Sequence, residues 1–252
     1  MAIGLHELQQ YIQHLLDVDA FDDYCPNGLQ VEACEQVQRV VTGVTASEAL
    51  IDAAIARKAD VLLVHHGYFW KGEAQPLTGM KGRRVRKLMQ NNISLLAYHL
   101  PLDAHPELGN NAQLGQLLGL QVSAGLDTSP RPVGLVGQLQ QPLTLAEFSA
   151  DIALQLQREP LLIGDEMQTV SRVAWCTGAA QSYIEKAAAA GADCFISGEI
   201  SEPTVHAARE LGIAYIAAGH HATERYGVKA LGEHLAQQFG LVCEFVDIPN
   251  PV

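Results

Sequence analysis

One internal repetition constrains this chain more than any other feature. "VTGVTASEALIDAAIARKADVLLVHHG" (41–67) resembles "VAWCTGAAQSYIEKAAAAGADCFISGE" (173–199), with Asp60 on Asp193. Each segment reads as strand, helix, strand. The likeness extends outward in the same order. "LHELQQYI" (5–12) parallels "LAEFSADI" (145–152), "NISLLAYH" (92–99) parallels "GIAYIAAG" (212–219), and "LGQLLGLQV" (114–122) parallels the region around "LAQQFGLVCEFV" (235–246). A duplicated α/β unit follows, with halves at roughly 1–127 and 128–252 joined near the turn-rich "SPRP" (129–132). Strands alternating with helices predict a largely parallel sheet in each half. Thr144 and Glu147 have the spacing of a capping box ahead of an apolar-periodic helix. The N-terminal "MAIGLHELQQYIQHLLD" reads as an amphipathic helix rather than a signal peptide.

Composition narrows the function classes. The net charge of −12 repels a phosphate backbone and disfavours nucleic-acid binding. An anionic small molecule would need a local positive centre, which a bound metal would supply. The five cysteines are odd in number and contain no C-x-x-C pair, which suits buried thiols in a reducing cytoplasm. No apolar run approaches the roughly 20 residues of a membrane span, so a cytoplasmic protein is the expectation.

Ligands of parallel α/β sheets gather beyond the carboxyl ends of the strands. The apolar run 61–64 is followed by His65-His66. The run 93–98 is followed by "HLPLDAH", with His99, Asp103 and His105. The run 213–217 is followed by "AGHHATE", with His220, His221 and Glu224. On a regular strand, His65 and His66 point to opposite faces, so one metal could not use both. At a strand end, two metals could. Ions roughly 3.5–4 Å apart would share a bridging group, and Asp103 and Glu224 would neutralise two of four positive charges. His220 and Glu224, four apart, share a face if a helix begins there. His221 points about 100° away. His105 and His221 have weaker cases, and His105 also reads as a loop cap before Pro106.

Four stretches, "VHHGYFWKG", "YHLPLDAHPELGNNAQL", "SGEISE" and "AGHHATERYG", together with "DYCPNGLQV" (23–31), resemble the Nif-three-like dinuclear metal-centre family, the type-two GTP cyclohydrolase I homologues. The resemblance covers nearly the whole chain. It implies two metals held by His65, His66, Asp103, His220 and Glu224, with His99 beside them as proton donor or acceptor. It also implies a toroidal homohexamer with metal sites facing the interior. The family activity would be purine ring opening of GTP, by water attack at C8.

The lead expectation is therefore a cytoplasmic, dinuclear metal-dependent hydrolase-like enzyme acting on a small anionic substrate. Its rivals are phosphoester or amide hydrolysis by the same metals, or a metal-binding ring that scaffolds partners without turnover. Mixed imidazole and carboxylate ligands admit zinc, iron, manganese, cobalt or nickel. No P-loop is present, since "GVTAS" (43–47) lacks the lysine. In the second half Gly198-Glu199 stands at the His65-His66 position. Glu199, Glu202 and His206 read either as pocket groups or as solvated helix-start residues. Asn27-Gly28 reads as a turn or a site element, and the basic run "MKGRRVRK" (80–87) as a solvated helix face. Tyr68, Phe69 and Trp70 would line an interface, or cover the local core or the substrate pocket.

Overall fold

A computed structural model describes residues 2–252. The strands in chain order are β1 (Ile3–Gly4), β2 (Gly28–Val31), β3 (Gln36–Val37), β4 (Arg39–Thr45), β5 (Val61–His66), β6 (Ser94–Ala97), β7 (Gln121–Gly125), β8 (Leu135–Thr144), β9 (Leu161–Ile163), β10 (Thr169–Cys176), β11 (Cys194–Ser197), β12 (Ala214–Ala217) and β13 (Val242–Phe245). The chain divides into two compact units. One runs from the N-terminus to Leu102 and takes in Gly227–Pro249. The other is Asp103–Tyr226 with Asn250–Val252.

The first unit's main sheet has the order β13-β4-β5-β6-β2. Its first four strands are parallel, and β2 runs antiparallel at the edge. One face carries Val41, Leu62, Val64, Leu95 and Ala97, packed against Leu50, Ile51 and Ala54 of helix Glu48–Ala56 and Val85 and Leu88 of helix Gly79–Gln90. These β-strand residues alternate along each strand, as the period of two requires. The basic run lies on that last helix. Lys87 pairs there with Glu48 and Asp52, so the run is a solvated helix face. The expected N-terminal helix spans Leu5–Leu15 and buries Leu5, Leu8 and Ile12.

The second unit's sheet has the order β7-β8-β10-β11-β12-β9. Only β10, β11 and β12 are mutually parallel. The expected largely parallel character thus holds for the first unit, while the second is mixed. β7 and β8 are joined by a hairpin through the "SPRP" turn, and a hairpin can make only an antiparallel pair. Both faces of this sheet are covered. Val173, Trp175, Cys194, Ile196, Ala214 and Ile216 enter one cluster; Ala174, Cys176, Phe195, Tyr215 and Ala217 enter another. Helix Leu145–Leu156 starts at the expected capping box: Thr144 Oγ1 accepts from the Glu147 amide at 3.2 Å, and the Glu147 carboxylate accepts from the Thr144 amide at 2.8 Å.

The repetition has a physical counterpart. Asp60 Oδ2 accepts the amides of Gln38 and Arg39 at 2.8 and 2.9 Å. Asp193 Oδ2 accepts those of Ser171 and Arg172 at 2.9 and 2.7 Å. Each aspartate thereby starts the central parallel strand of its sheet, and 40–66 falls on 173–199. The compact units nevertheless cross the sequence halves. β7, from the N-terminal half, pairs with β8 in the second unit, and β13, from the C-terminal half, pairs with β4 in the first. Each half lends its last strand to the other unit's sheet.

Candidate functional site

In the first unit, the site residues sit where the parallel strands end. His65 is buried, and its Nδ1 donates to the Tyr98 carbonyl at 2.9 Å. His66 Nδ1 lies 3.3 Å from Thr45 Oγ1. The two rings do not point apart. Their centroids are 4.5 Å from each other, although both residues lie in β5 and His66 is in register with Thr45 of β4. The His99 ring is 5.1 Å from that of His65 and 5.8 Å from that of His66. One ring nitrogen from each of these three histidines lies within 4.8 Å of the other two.

His99 is held by residues of the "DYCPNGLQV" stretch. Asp23 accepts from His99 Nδ1 at 2.7 Å, from the Leu100 amide at 2.9 Å and from Asn27 Nδ2 at 2.9 Å. Asn27 Oδ1 accepts the His99 amide at 2.7 Å, so Asn27 is a site element as well as a turn residue. Burial acts to raise the Asp23 pKa. The hydrogen bond and charge of His99, with the donors of Asn27 and Leu100, outweigh it and hold the carboxyl below the usual range. The Cys25 thiol is close by, but burial, reinforced by the Asp23 charge, pushes it up to about 12, so it is protonated at neutral pH. Trp70 meets His99 edge-on at 5.0 Å and donates to the Gly67 carbonyl. Tyr68 is buried with its hydroxyl on the Ala46 carbonyl, and Phe69 packs against the core at φ 64°. These aromatics cover the core and site of their own unit.

In the second unit, His220 opens the short helix His220–Thr223 and Glu224 closes it. Their spacing brings His220 Nε2 to 3.1 Å from the Glu224 carboxylate. His220 Nδ1 donates to Glu199 at 2.6 Å. Burial acts to lower the His220 pKa, but the bonds and charges of Glu224 and Glu199 prevail and push it up to about 9. Two glycines make this packing possible. Gly178 adopts φ 68°, and a Cβ there would collide with the Glu224 carboxylate. A Cβ on Gly198 would stand 2.7 Å from the His220 Cα.

Asp103 is buried in the same unit. Its Oδ1 accepts Asn110 Nδ2 at 2.8 Å and the Thr177 hydroxyl at 3.3 Å. Asn111 braces the same turn. Its side chain accepts the Thr177 amide at 3.0 Å, and its carbonyl accepts the Trp175 indole N–H at 2.8 Å. The remaining sequence candidates separate. His105 Nδ1 accepts the amides of Glu107 and Leu108, so it caps a loop. His206 pairs with Glu202 at 2.9 Å on an exposed helix, so these two are solvated helix residues. The His221 amide donates to the Val252 carbonyl. Sequence reasoning assigned no chemistry to Asp23, Asn110 or Thr177. The "DYCPNG" and "GNNAQ" strings were visible, but which acceptor meets which donor is set by the fold.

The donor chemistry of both units fits divalent transition metals. Neutral imidazole and carboxylate oxygen are their customary ligands, and buried carboxylates such as Asp103 and Glu224 gain from a cation beside them.

Relatives agree with the fold. A protein of Pseudomonas aeruginosa named "GTP cyclohydrolase 1 type 2 homolog" is 56% identical over 252 residues, covering 100% of both chains. A solved structure described as protein ybgI, of unknown function, superposes with a TM-score of 0.95 at 51% identity, covering 99% of this chain and 100% of that one. The crystal structure of TTHA1606 from Thermus thermophilus gives a TM-score of 0.89 at 35% identity, with coverage of 99% and 100%. The model of the family described as Duf34/NIF3 (NGG1p interacting factor 3) matches residues 3–251, and the chain belongs to that family.

Proposed function

We propose that the protein is a two-metal, hydrolase-like enzyme in which His65, His66, Asp103, His220 and Glu224 hold two divalent ions. The observation that carries this reading is shared by the three histidines among them. The Nδ1 atoms of His65, His66 and His220 each meet a protein oxygen: the Tyr98 carbonyl, Thr45 Oγ1 and Glu199. Each ring is thereby oriented to present Nε2, which is how metal-ligating histidines are held. Bound divalent ions would supply Lewis acidity and water activated near neutral pH.

His99 takes a different part. With Nδ1 committed to Asp23, it exchanges protons with a substrate or water through Nε2, and the Trp70 edge shields one side of the ring. A chain of net charge −12 draws an anionic substrate only to a local positive centre, which the metals would provide. The name carried by the relatives makes GTP the first substrate to test, with phosphoesters and amides next. The family resemblance adds a homohexameric ring with these sites facing its interior.

The test is elemental analysis of protein saturated with one metal, followed by a metabolite screen on the loaded protein with a His65→Ala control. Two ions per chain, and a turnover that disappears in the control, are expected. A saturating value of one or zero refutes the dinuclear reading. Two ions without any turnover would favour the scaffold.

A further inference from the structure

The second unit contains a carboxylate that the five proposed ligands leave unused. Glu199 follows β11, and in the repeat register set by Asp60 and Asp193 it stands where His66 stands in the first half. The duplicated position has not kept an imidazole. It carries an acid whose Oε1 lies 2.6 Å from His220 Nδ1.

We propose that Glu199 is a positioning residue for His220: it accepts a hydrogen bond from Nδ1–H and aims Nε2 at the metal. The inference rests on the reading of His220 as a ligand. A neutral imidazole has two tautomers, and only a deprotonated nitrogen binds a metal. A carboxylate on Nδ1 selects the tautomer with its lone pair on Nε2, fixes the ring's rotation and makes Nε2 a stronger donor.

The surroundings support the assignment. The Tyr215 hydroxyl donates to the Glu199 backbone carbonyl and anchors the residue to β12. Gly198 lets the backbone before Glu199 pass against the His220 main chain. Glu202, three residues on, is exposed and pairs with the exposed His206, so it serves as the control. The first unit shows the alternative: His65 and His66 rest on a carbonyl and a hydroxyl, which orient a ring without adding charge. His220 Nδ1 instead meets a full carboxylate.

The experiment is a cobalt titration against a competing chelator, with the visible spectrum recorded, on wild type, Glu199→Ala, Glu199→Gln, Glu202→Ala and His220→Ala. Glu199→Ala is expected to lose about 10- to 100-fold in affinity for one ion, the usual effect of removing such a partner, and to shift the cobalt absorption bands. Glu199→Gln keeps an acceptor oxygen and should restore the wild-type band positions and most of the affinity. Glu202→Ala should match wild type. If wild type and Glu199→Ala bind within threefold of each other while His220→Ala loses an ion, the positioning role is wrong and the metal reading stands. If Glu199→Gln is as weak as Glu199→Ala and both unfold at lower temperature than wild type in chelator, Glu199 is merely structural and the proposal falls. If wild type binds no cobalt, the metal reading fails and takes this inference with it.

Discussion

Asp23 offers the sharpest test of how the first unit holds its site. Asp23→Ala removes a carboxylate that accepts from the exposed Tyr24 amide and strands three part-buried donors at once: His99 Nδ1, the Leu100 amide and Asn27 Nδ2. The Asp23 side chain is 3% exposed and that of His99 15%, so water can rescue only part of the loss. A buried donor left unpaired costs about 1–3 kcal/mol. Taking the low end for each of three donors gives a destabilisation of about 3 kcal/mol. Urea denaturation at pH 7 measures it, and an unchanged m-value would show that the loss is in stability and not in the compactness of either state.

The same carboxylate carries a pH signature. Its folded pKa lies below its unfolded value, so its stabilisation is fully present above the unfolded pKa, about 4. It is lost as pH falls through the folded pKa. Asp23→Asn, which keeps the shape and loses the charge, should therefore differ from wild type most at pH 7 and progressively less below about pH 4. A cost under 1 kcal/mol for Asp23→Ala, or an Asp23→Asn difference that stays constant from pH 7 to pH 3, refutes the reasoning.

Asp60→Ala and Asp193→Ala should each cost about 1–3 kcal/mol, because each strands two backbone amides, at the head of β4 and within β10 respectively. The double variant should equal the sum to within about 0.5 kcal/mol, since the two share no partners; a large coupling in denaturation midpoints would contradict that. A fragment of residues 1–127 should show no cooperative thermal transition, because it lacks β13, which pairs with β4. A monomeric fragment that melts cooperatively would show that the exchanged strand is dispensable. Light scattering coupled to size exclusion should give six times the chain mass at low micromolar concentration, and a monomer throughout would remove the ring while leaving the ligand assignment intact.

The sequence by itself determined the α/β class and the family, and it supplied the internal repetition and the candidate ligands as expectations. Apolar runs of strand length between helical stretches could fold only as strand–helix–strand units. Asp60 and Asp193 could be matched because each stands just before an apolar strand at the same place in the repeated pattern. His65, His66, His99, Asp103, His220 and Glu224 stood out as candidates because each follows an apolar strand, and the close pair made by His220 and Glu224 was legible from helical spacing.

What the tertiary structure decided is everything that depends on which strand lies beside which. Periodicity is local, and it carries no record of partner choice across long sequence separations. So the exchange of β7 and β13 between the two units was invisible, as was the mixed sheet of the second unit. The sequence also left Glu199 and Asn27 undecided and Asp23 unassigned. Each of the three meets its histidine across a gap of 21 to 76 residues. A carboxylate there becomes an orienting group only when folding brings an imidazole Nδ1 within hydrogen-bonding distance, whereas at the helix start a few residues on, Glu202 remains a solvated acid.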